Sequence, residues 1–236
     1  MNQQAYLDVA GARDRETFEK RLVEFAGHMG FPIVSAILVI ERPALDAVFL
    51  PVGNTPEAYQ ASFSDVALSR RCPVLARLKT LGHPFSYDQS LFVHDGVADL
   101  WDHQAQYGYK TGIAMAMHMP GGRHFLLGVD RPDPLPGEDE TLTRMMADLQ
   151  LLGAYAQETA VRILMPEAGI GEIPELTSRE LEVLRWTQDG KSAGVIADLL
   201  NINIGTVNYH LQRAGAKLGV SGKHQAVVKA LKLGLL

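Results

Sequence analysis

Apolar residues recur at intervals of three and four at Phe18, Leu22, Phe25, Ala26 and Met29, which predicts an amphipathic helix that begins near Asp14 and stops at Gly30. Pro32 opens a nearly continuous apolar run, Ile33–Ile40, of strand length, and Ala47–Leu50 reads as a second, shorter strand. Thr55-Pro56 pairs an N-cap with a proline at the first helical position, so a helix should start at 56 and carry Tyr59 and Phe63 on one face. Further helices are expected over Pro73–Leu81, closed by Gly82, and over Leu100–Tyr107, closed by Gly108. Gly112–Met119 and His124–Asp130 flank Pro120-Gly121-Gly122, the signature of a β-hairpin. From about Glu138 to Leu164, a stripe of Leu142, Met145, Leu149, Leu152, Ala156, Ala160 and Ile163 predicts one long helix. Strands framed by helices at both ends point to an α/β/α sandwich over one antiparallel sheet.

Residues 165–174 (MPEAGIGEIP) combine prolines, glycines and acids without an apolar stripe, which is linker composition. The chain therefore divides into residues 1–164, a linker over 165–174, and residues 175–236. The last segment is helical throughout. Thr177 and Glu180 are spaced as a capping box, opening a helix that turns Leu181 and Leu184 inward and stops at Gly190. Ser192 can cap a second helix whose buried side would be Val195, Ile196, Leu199 and Leu200. Asn201-Ile202-Asn203 forms a tight turn, and Asn203 caps a third helix with Val207, Leu211, Ala214 and Leu218 facing the core. A fourth helix after Gly219 turns Ala226, Val227, Ala230 and Leu231 inward and Lys223, Lys229 and Lys232 outward. A tight turn before a third helix about 22 Å long makes a helix-turn-helix that fits the major groove. The whole is of α+β class: a sheet-based N-terminal domain and an all-α C-terminal one.

Charge sharpens this division. Residues 175–236 hold 8 Lys/Arg against 5 Asp/Glu, whereas residues 1–174 hold 14 against 22, so the C-terminal part is the one suited to a polyanion. With 47% hydrophobic residues the 236-residue chain can bury real cores. One cysteine, Cys72, excludes an internal disulfide framework and any Cys-rich zinc module. No apolar run approaches a membrane span and no secretory h-region opens the chain, so a cytoplasmic protein without a membrane partner is expected.

The segment from Leu176 to Leu236 resembles the LuxR-type helix-turn-helix. The matching positions include Leu176-Thr177, Arg179-Glu180, Gly190-Lys191-Ser192, Ile196-Ala197, Thr206-Val207, His210, Lys217-Leu218-Gly219-Val220 and Gln225-Ala226. The resemblance makes Glu180, Leu184 and Gly190 framework positions and residues 204–218 the recognition helix. Thr206, Asn208, Tyr209 and Gln212 would then meet bases, and Lys191, Arg213, Lys217 and Lys223 would take phosphates. Val195 stands where the family often has Glu. Upstream, no acidic pair of a phosphoreceiver and no P-loop is present. Residues of roughly 15–163 are instead similar to the autoinducer-binding domain of quorum-sensing LuxR-type receptors. The similarity is carried by Tyr59, Phe63, Cys72-Pro73-Val74-Leu75, Pro84-Phe85-Ser86-Tyr87-Asp88 and Gly112.

That resemblance implies a site for an acyl-homoserine lactone, whose amide and carbonyls must each find a partner in a closed pocket. Its residues would be Tyr59, Phe63, Cys72, Pro73, Val74, Tyr87, Phe92, Trp101, Gly112 and Gly128. Pro73 and Gly112 match the family. Tyr59 and Tyr87 stand in place of Trp, Phe63 in place of Tyr, Cys72 in place of the Asp that accepts the ligand N–H, and Gly128 in place of Ser/Thr. The pocket is thus atypical: it takes a lactone with Tyr59 and Tyr87 compensating, or a less polar non-lactone analogue. A single helix-turn-helix module of this size buries too little surface and neutralises too few phosphates for strong specific binding, so a homodimer on an inverted-repeat operator in double-stranded DNA is expected, with the 138–164 helix as candidate dimer face. A ligand-independent or heterodimerising regulator is the alternative. Asp99, Asp102 and His103 are read as caps and a solvated face, and His118 and His124 can approach across the hairpin but two histidines make a poor zinc site, so no catalysis, metal or cofactor is expected.

Overall fold

In the computed structural model the described residues are 2–41, 47–62, 66–137, 140–169 and 174–236. They form two compact units that divide near residue 170, with residues 120–122 grouped with the second. In chain order the first unit contains α1 (Gln3–Ala10), α2 (Arg15–His28), β1 (Ile33–Ile40), β2 (Val48–Gly53), α3 (Glu57–Ser62), α4 (Val66–Arg71), α5 (Pro73–Leu78), β3 (Phe85–Tyr87), α6 (Gln89–His94), α7 (Ala98–Ala105), β4 (Thr111–Met119), β5 (Arg123–Arg131) and α8 (Glu140–Glu167). The second contains α9 (Ser178–Gln188), α10 (Ala193–Leu200), α11 (Ile204–Leu218) and α12 (Lys223–Lys232).

The five strands form one antiparallel sheet in the order β2-β1-β5-β4-β3. The second strand runs to Gly53, farther than the apolar run suggests, and carries Pro51. It can do so because β2 is an edge strand, where a missing N–H costs no ladder bond. Alternation splits the sheet into two faces. Val34, Ala36, Leu38, Ile113, Met115, Phe125, Leu127 and Val129 pack against α2 and α8 in the larger core. The helical stripe Leu142, Leu149, Leu152, Ala156, Ala160 and Ile163 is buried there as its spacing requires. At Gly153 a Cβ would fall 2.7 Å from the Met115 methyl, so the glycine lets α8 lie close on the sheet. The opposite face carries Phe85, Tyr87, Ala114 and Ala116, packed with Leu78, Leu91 and Phe92 from the helices between β2 and β4. Helices on both faces make the expected sandwich. The short elements α1, α4, β3 and α6 leave too few residues for a periodic signal.

The second unit is built from its caps. Thr177 and Glu180 close a capping box in both directions, with Thr177 N–H donating to Glu180 Oε2 at 2.8 Å and Glu180 N–H to Thr177 Oγ1 at 3.3 Å. Asn201 adopts the left-handed conformation (φ 52°) between α10 and α11, and Asn203 Oδ1 accepts the Thr206 N–H at 2.7 Å. Val207, Leu211, Ala214 and Leu218 line the core as their spacing predicts. On α10 the core is filled by Ile196 and Ala197, while Val195 and Leu199 are 44% and 51% exposed, contrary to the sequence reading. The cause is angular: 195 and 199 share a stripe one residue, ~100°, round the helix from 196 and 200. Leu231 of α12, also expected inward, is 44% exposed, and Ala230 holds the core beside Ala226.

Candidate ligand site and DNA-binding helix

The helix-bearing face with few large residues at its centre is where the sequence-derived ligand residues gather. Two cross-strand rows define it. One runs Tyr87–Gly112–Asp130–Ile33, the next Phe85–Ala114–Gly128–Ser35. Gly112 is needed because two side chains meet above it. The Tyr87 hydroxyl donates to Asp130 Oδ1, and a Cβ at residue 112 would lie 2.6 Å from the Tyr87 hydroxyl and 2.7 Å from that carboxylate oxygen. Gly128, on the same face of β5, places no side chain beside Asp130 Oδ2; a Cβ there would come into contact with that oxygen at 3.8 Å. Above the sheet, Tyr59 from α3 stacks on Tyr109 with ring centroids 4.3 Å apart. The Tyr109 hydroxyl pairs with Ser35 Oγ at 2.9 Å, which in turn meets Thr55 Oγ1 at 2.8 Å.

Cys72 precedes α5 as its N-cap, followed by Pro73 at the first helical position, and both are buried. Phe92 is fully buried and Val74 packs at the margin of the same cluster. Trp101 is half-buried, with its indole N–H donating to the Lys110 carbonyl at 3.0 Å, so this group is already engaged. Phe63 lies outside the described residues. Asp130, Tyr109, Ser35 and Thr55 are not among the sequence-derived ligand residues. A signal for Asp130 is present: it is a charged residue directly after the apolar run Phe125–Val129 of β5, two positions after Gly128 and hence on the same face.

Electrostatics sorts these groups into donors and one acceptor. Burial pushes the Tyr87 phenol well up, and the neighbouring Asp130 charge adds to it. Burial likewise raises Tyr59, and lifts Tyr109 to about 12 against the opposing hydrogen bonds from Ser35 and Thr55. Burial also raises the Cys72 thiol. All four stay protonated near neutrality. Asp130, 1% exposed, is pushed up to about 7 by burial, against the lowering effect of the Tyr87 hydrogen bond. The groups felt across this cluster are Tyr59 from α3, Cys72 before α5, Tyr87 from β3 and Tyr109 before β4.

A carboxyl that binds its proton more tightly folded than unfolded stabilises the fold at low pH and loses that contribution as pH rises through its folded value. The ligand-free first unit should therefore melt at progressively lower temperature between about pH 4 and about pH 7. Asp130→Asn, neutral throughout, should remove most of that slope. Thermal unfolding of both proteins across the range checks this, and parallel slopes would contradict it.

In the second unit, Asn208, Tyr209, Gln212 and Arg213 are exposed on α11, and Lys191 and Lys223 are exposed at the starts of their segments. Thr206 is half-buried, with its hydroxyl donating to the capping Asn203 Oδ1 at 3.0 Å. Lys217 differs from the expected phosphate contact. Its ammonium donates to Glu180 Oε2 at 2.8 Å and to the Glu175 carbonyl at 3.0 Å. The Glu180 side chain is only 4% exposed, and Lys217 neutralises it from a position four residues past Arg213, where α11 passes α9. Burial raises the Glu180 carboxyl, but the Lys217 hydrogen bond, the Thr177 amide and the ammonium charge outweigh it, leaving it below the usual range. Leu184 is buried at the centre of this unit, and Gly190 ends the first turn region with φ 76°.

Comparison with known proteins agrees with both halves. Residues 14–160 match the family described as "Autoinducer binding domain", and residues 174–230 match "Bacterial regulatory proteins, luxR family". The transcriptional activator protein SolR of Ralstonia nicotianae is 31% identical over 99% of this chain and 98% of its own length. Among solved structures, SdiA in complex with octanoyl-rac-glycerol superposes with a TM-score of 0.76 at 21% identity, covering 99% of this chain and 94% of that one. Escherichia coli SdiA in another crystal form gives 0.74 at 23% identity, covering 99% and 96%. At these identities the structural likeness speaks for the fold alone. The chain belongs to the LuxR family of transcription regulators, in which an autoinducer-binding domain is joined to a DNA-binding helix-turn-helix. It is a regulator of the quorum-sensing type, not an enzyme.

Proposed function

We propose that the first unit takes up an acyl-homoserine lactone or a closely related small signal between the sheet face of Gly112, Ala114 and Gly128 and the helices that carry Tyr59, Cys72, Pro73, Val74, Phe92 and Trp101. The observation that carries this reading is the buried polar group set on that face. A phenol–carboxylate pair over a bare glycine, beside further phenols, has a composition that an apolar core does not need and a ligand with an amide and carbonyls does. The ligand region is assigned to residues 1–164 and the DNA-binding region to 175–236; of the linker expected over 165–174, residues 165–167 instead continue α8, with Met165 buried in the first core.

One such helical module neutralises too few phosphates for strong specific binding, so the working form is a cytoplasmic homodimer that places two α11 helices in successive major-groove faces of an inverted-repeat operator. Asn208, Tyr209 and Gln212 read bases, and Lys191, Arg213 and Lys223 hold phosphates. Ligand completes the first unit and favours the dimer. By linkage it stabilises that state by RT ln(1 + [L]/Kd). The test is to select duplexes with the purified full-length protein in the presence and absence of acyl-homoserine lactones. Recovery of inverted repeats only in the lactone-containing selection is expected, and identical pools with and without lactone would count against the reading.

A further inference from the structure

The family position for the carboxylate that accepts a ligand N–H is occupied here by Cys72, whose thiol is buried and protonated and hence a weak hydrogen-bond partner. A carboxylate is nevertheless present on the same face, on a different element. Asp130 sits on β5, opposite Gly112 of β4, with Tyr87 of β3 in the same row. It is fully enclosed, and its Oδ1 is held by the Tyr87 hydroxyl. A carboxylate has two oxygens and can accept several hydrogen bonds, so the Tyr87 bond leaves it capacity. Its Oδ2 lies on the Gly128 side, where the glycine sets no side chain against it: a Cβ at residue 128 would stand 3.8 Å from that oxygen.

We infer that Asp130, oriented by Tyr87 across the bare backbone of Gly112, is the acceptor that fixes the ligand's polar head, so the ligand is an apolar-tailed molecule presenting an amide N–H toward β5. This rests on the ligand-binding reading above and makes it specific. The acceptor has moved from the start of α5 to the sheet, which turns the donor of the bound ligand toward the Gly128 side of the face. Gly112 and Gly128 act together: the first admits the Tyr87–Asp130 pair, and the second admits the ligand to it.

The test uses full-length protein and matched probe pairs of N-acyl-homoserine lactones of six, eight and ten carbons and their ester isosteres, in which oxygen replaces the N–H. Loss of a charge-assisted bond is worth about 10–100-fold in affinity. Wild-type protein should bind the better amide about tenfold or more tighter than its ester. Asp130→Ala should bind both alike, and Asp130→Ala combined with Cys72→Asp should recover the preference from the other element. Tyr87→Phe, which keeps the carboxylate, should retain a preference for the amide. Where Asp130→Ala does not fold by thermal melting, the isosteric Asp130→Asn gives the same reading as a reduced preference. Equal binding of amide and ester by wild type, or an unchanged preference in the Asp130 variants, overturns the role of Asp130 while leaving the ligand reading intact. Binding of neither probe at any chain length overturns the lactone reading itself, and this inference with it.

Discussion

Gly112→Ala should collapse ligand response and unfold the first unit at markedly lower temperature, although it adds a single methyl group. The new Cβ would stand 2.6 Å from the Tyr87 hydroxyl and 2.7 Å from Asp130 Oδ1, inside contact distance of both. Both groups are buried, so neither can swing into solvent to relieve the overlap. The pair must part, which leaves a carboxylate and a phenol unsatisfied at a cost of about 1.5–3 kcal/mol, and the overpacking adds about 1–3 kcal/mol. A total of about 2.5–6 kcal/mol is a large share of the stability of such a unit. Gly82→Ala is the control, because Gly82 is exposed and a Cβ there meets nothing within 4 Å. Thermal unfolding of the full chain, with and without lactone, checks both substitutions. A Gly112→Ala protein that melts with the wild type and still responds to lactone would refute the close-packed row.

Lys217→Ala should abolish DNA binding for a reason unlike that of its neighbour Arg213. Removing Arg213, exposed on α11, takes away a phosphate partner and should leave the unfolding transition where it was. Removing Lys217 leaves the Glu180 carboxylate, 4% exposed, without its countercharge and frees the Glu175 carbonyl. Breaking such a pair from one side costs about 2–3 kcal/mol after allowing for the partial exposure of the lysine. The unit should also unfold at less acidic pH than the wild type. In the wild type the lowered Glu180 value gives stability that is present above the ordinary carboxylate pKa and lost as pH falls through the lowered one. Unfolding curves and DNA titrations of Lys217→Ala, Arg213→Ala and Gln212→Ala separate the two causes. Equal melting temperatures for all three would place Lys217 back among the simple DNA contacts.

The helix-turn-helix is legible in the sequence because every local signal agrees with the packing. The Thr177–Glu180 box, the Asn203 cap, the left-handed Gly219 and the spacing of Val207, Leu211, Ala214 and Leu218 all act within one helix or turn. Where neighbouring stripes are both apolar, as on α10, periodicity alone picks the wrong residues, and Val195 and Leu199 face out. Lys217 shows a related limit. Its charge is visible in the sequence, but its partner Glu180 is brought to it by the packing of α9 against α11. The sheet's hairpin and long helix are legible for the same local reasons, whereas β3 is three residues long and carries no readable period. Asp130 is the clearest loss. Its role depends on Tyr87 and Gly112, which reach it only when three strands stand in register, and register is a long-range property.

We propose that occupancy of the sheet-face site in the first unit controls how the second unit engages DNA. It is tested most directly by titrating a selected inverted-repeat duplex with full-length protein, free and lactone-saturated, while following the mass of the complex. A dimer on DNA whose affinity rises about tenfold or more with ligand is the predicted result. A protein that takes up the lactone yet binds the duplex with unchanged affinity, or as a monomer, would contradict it.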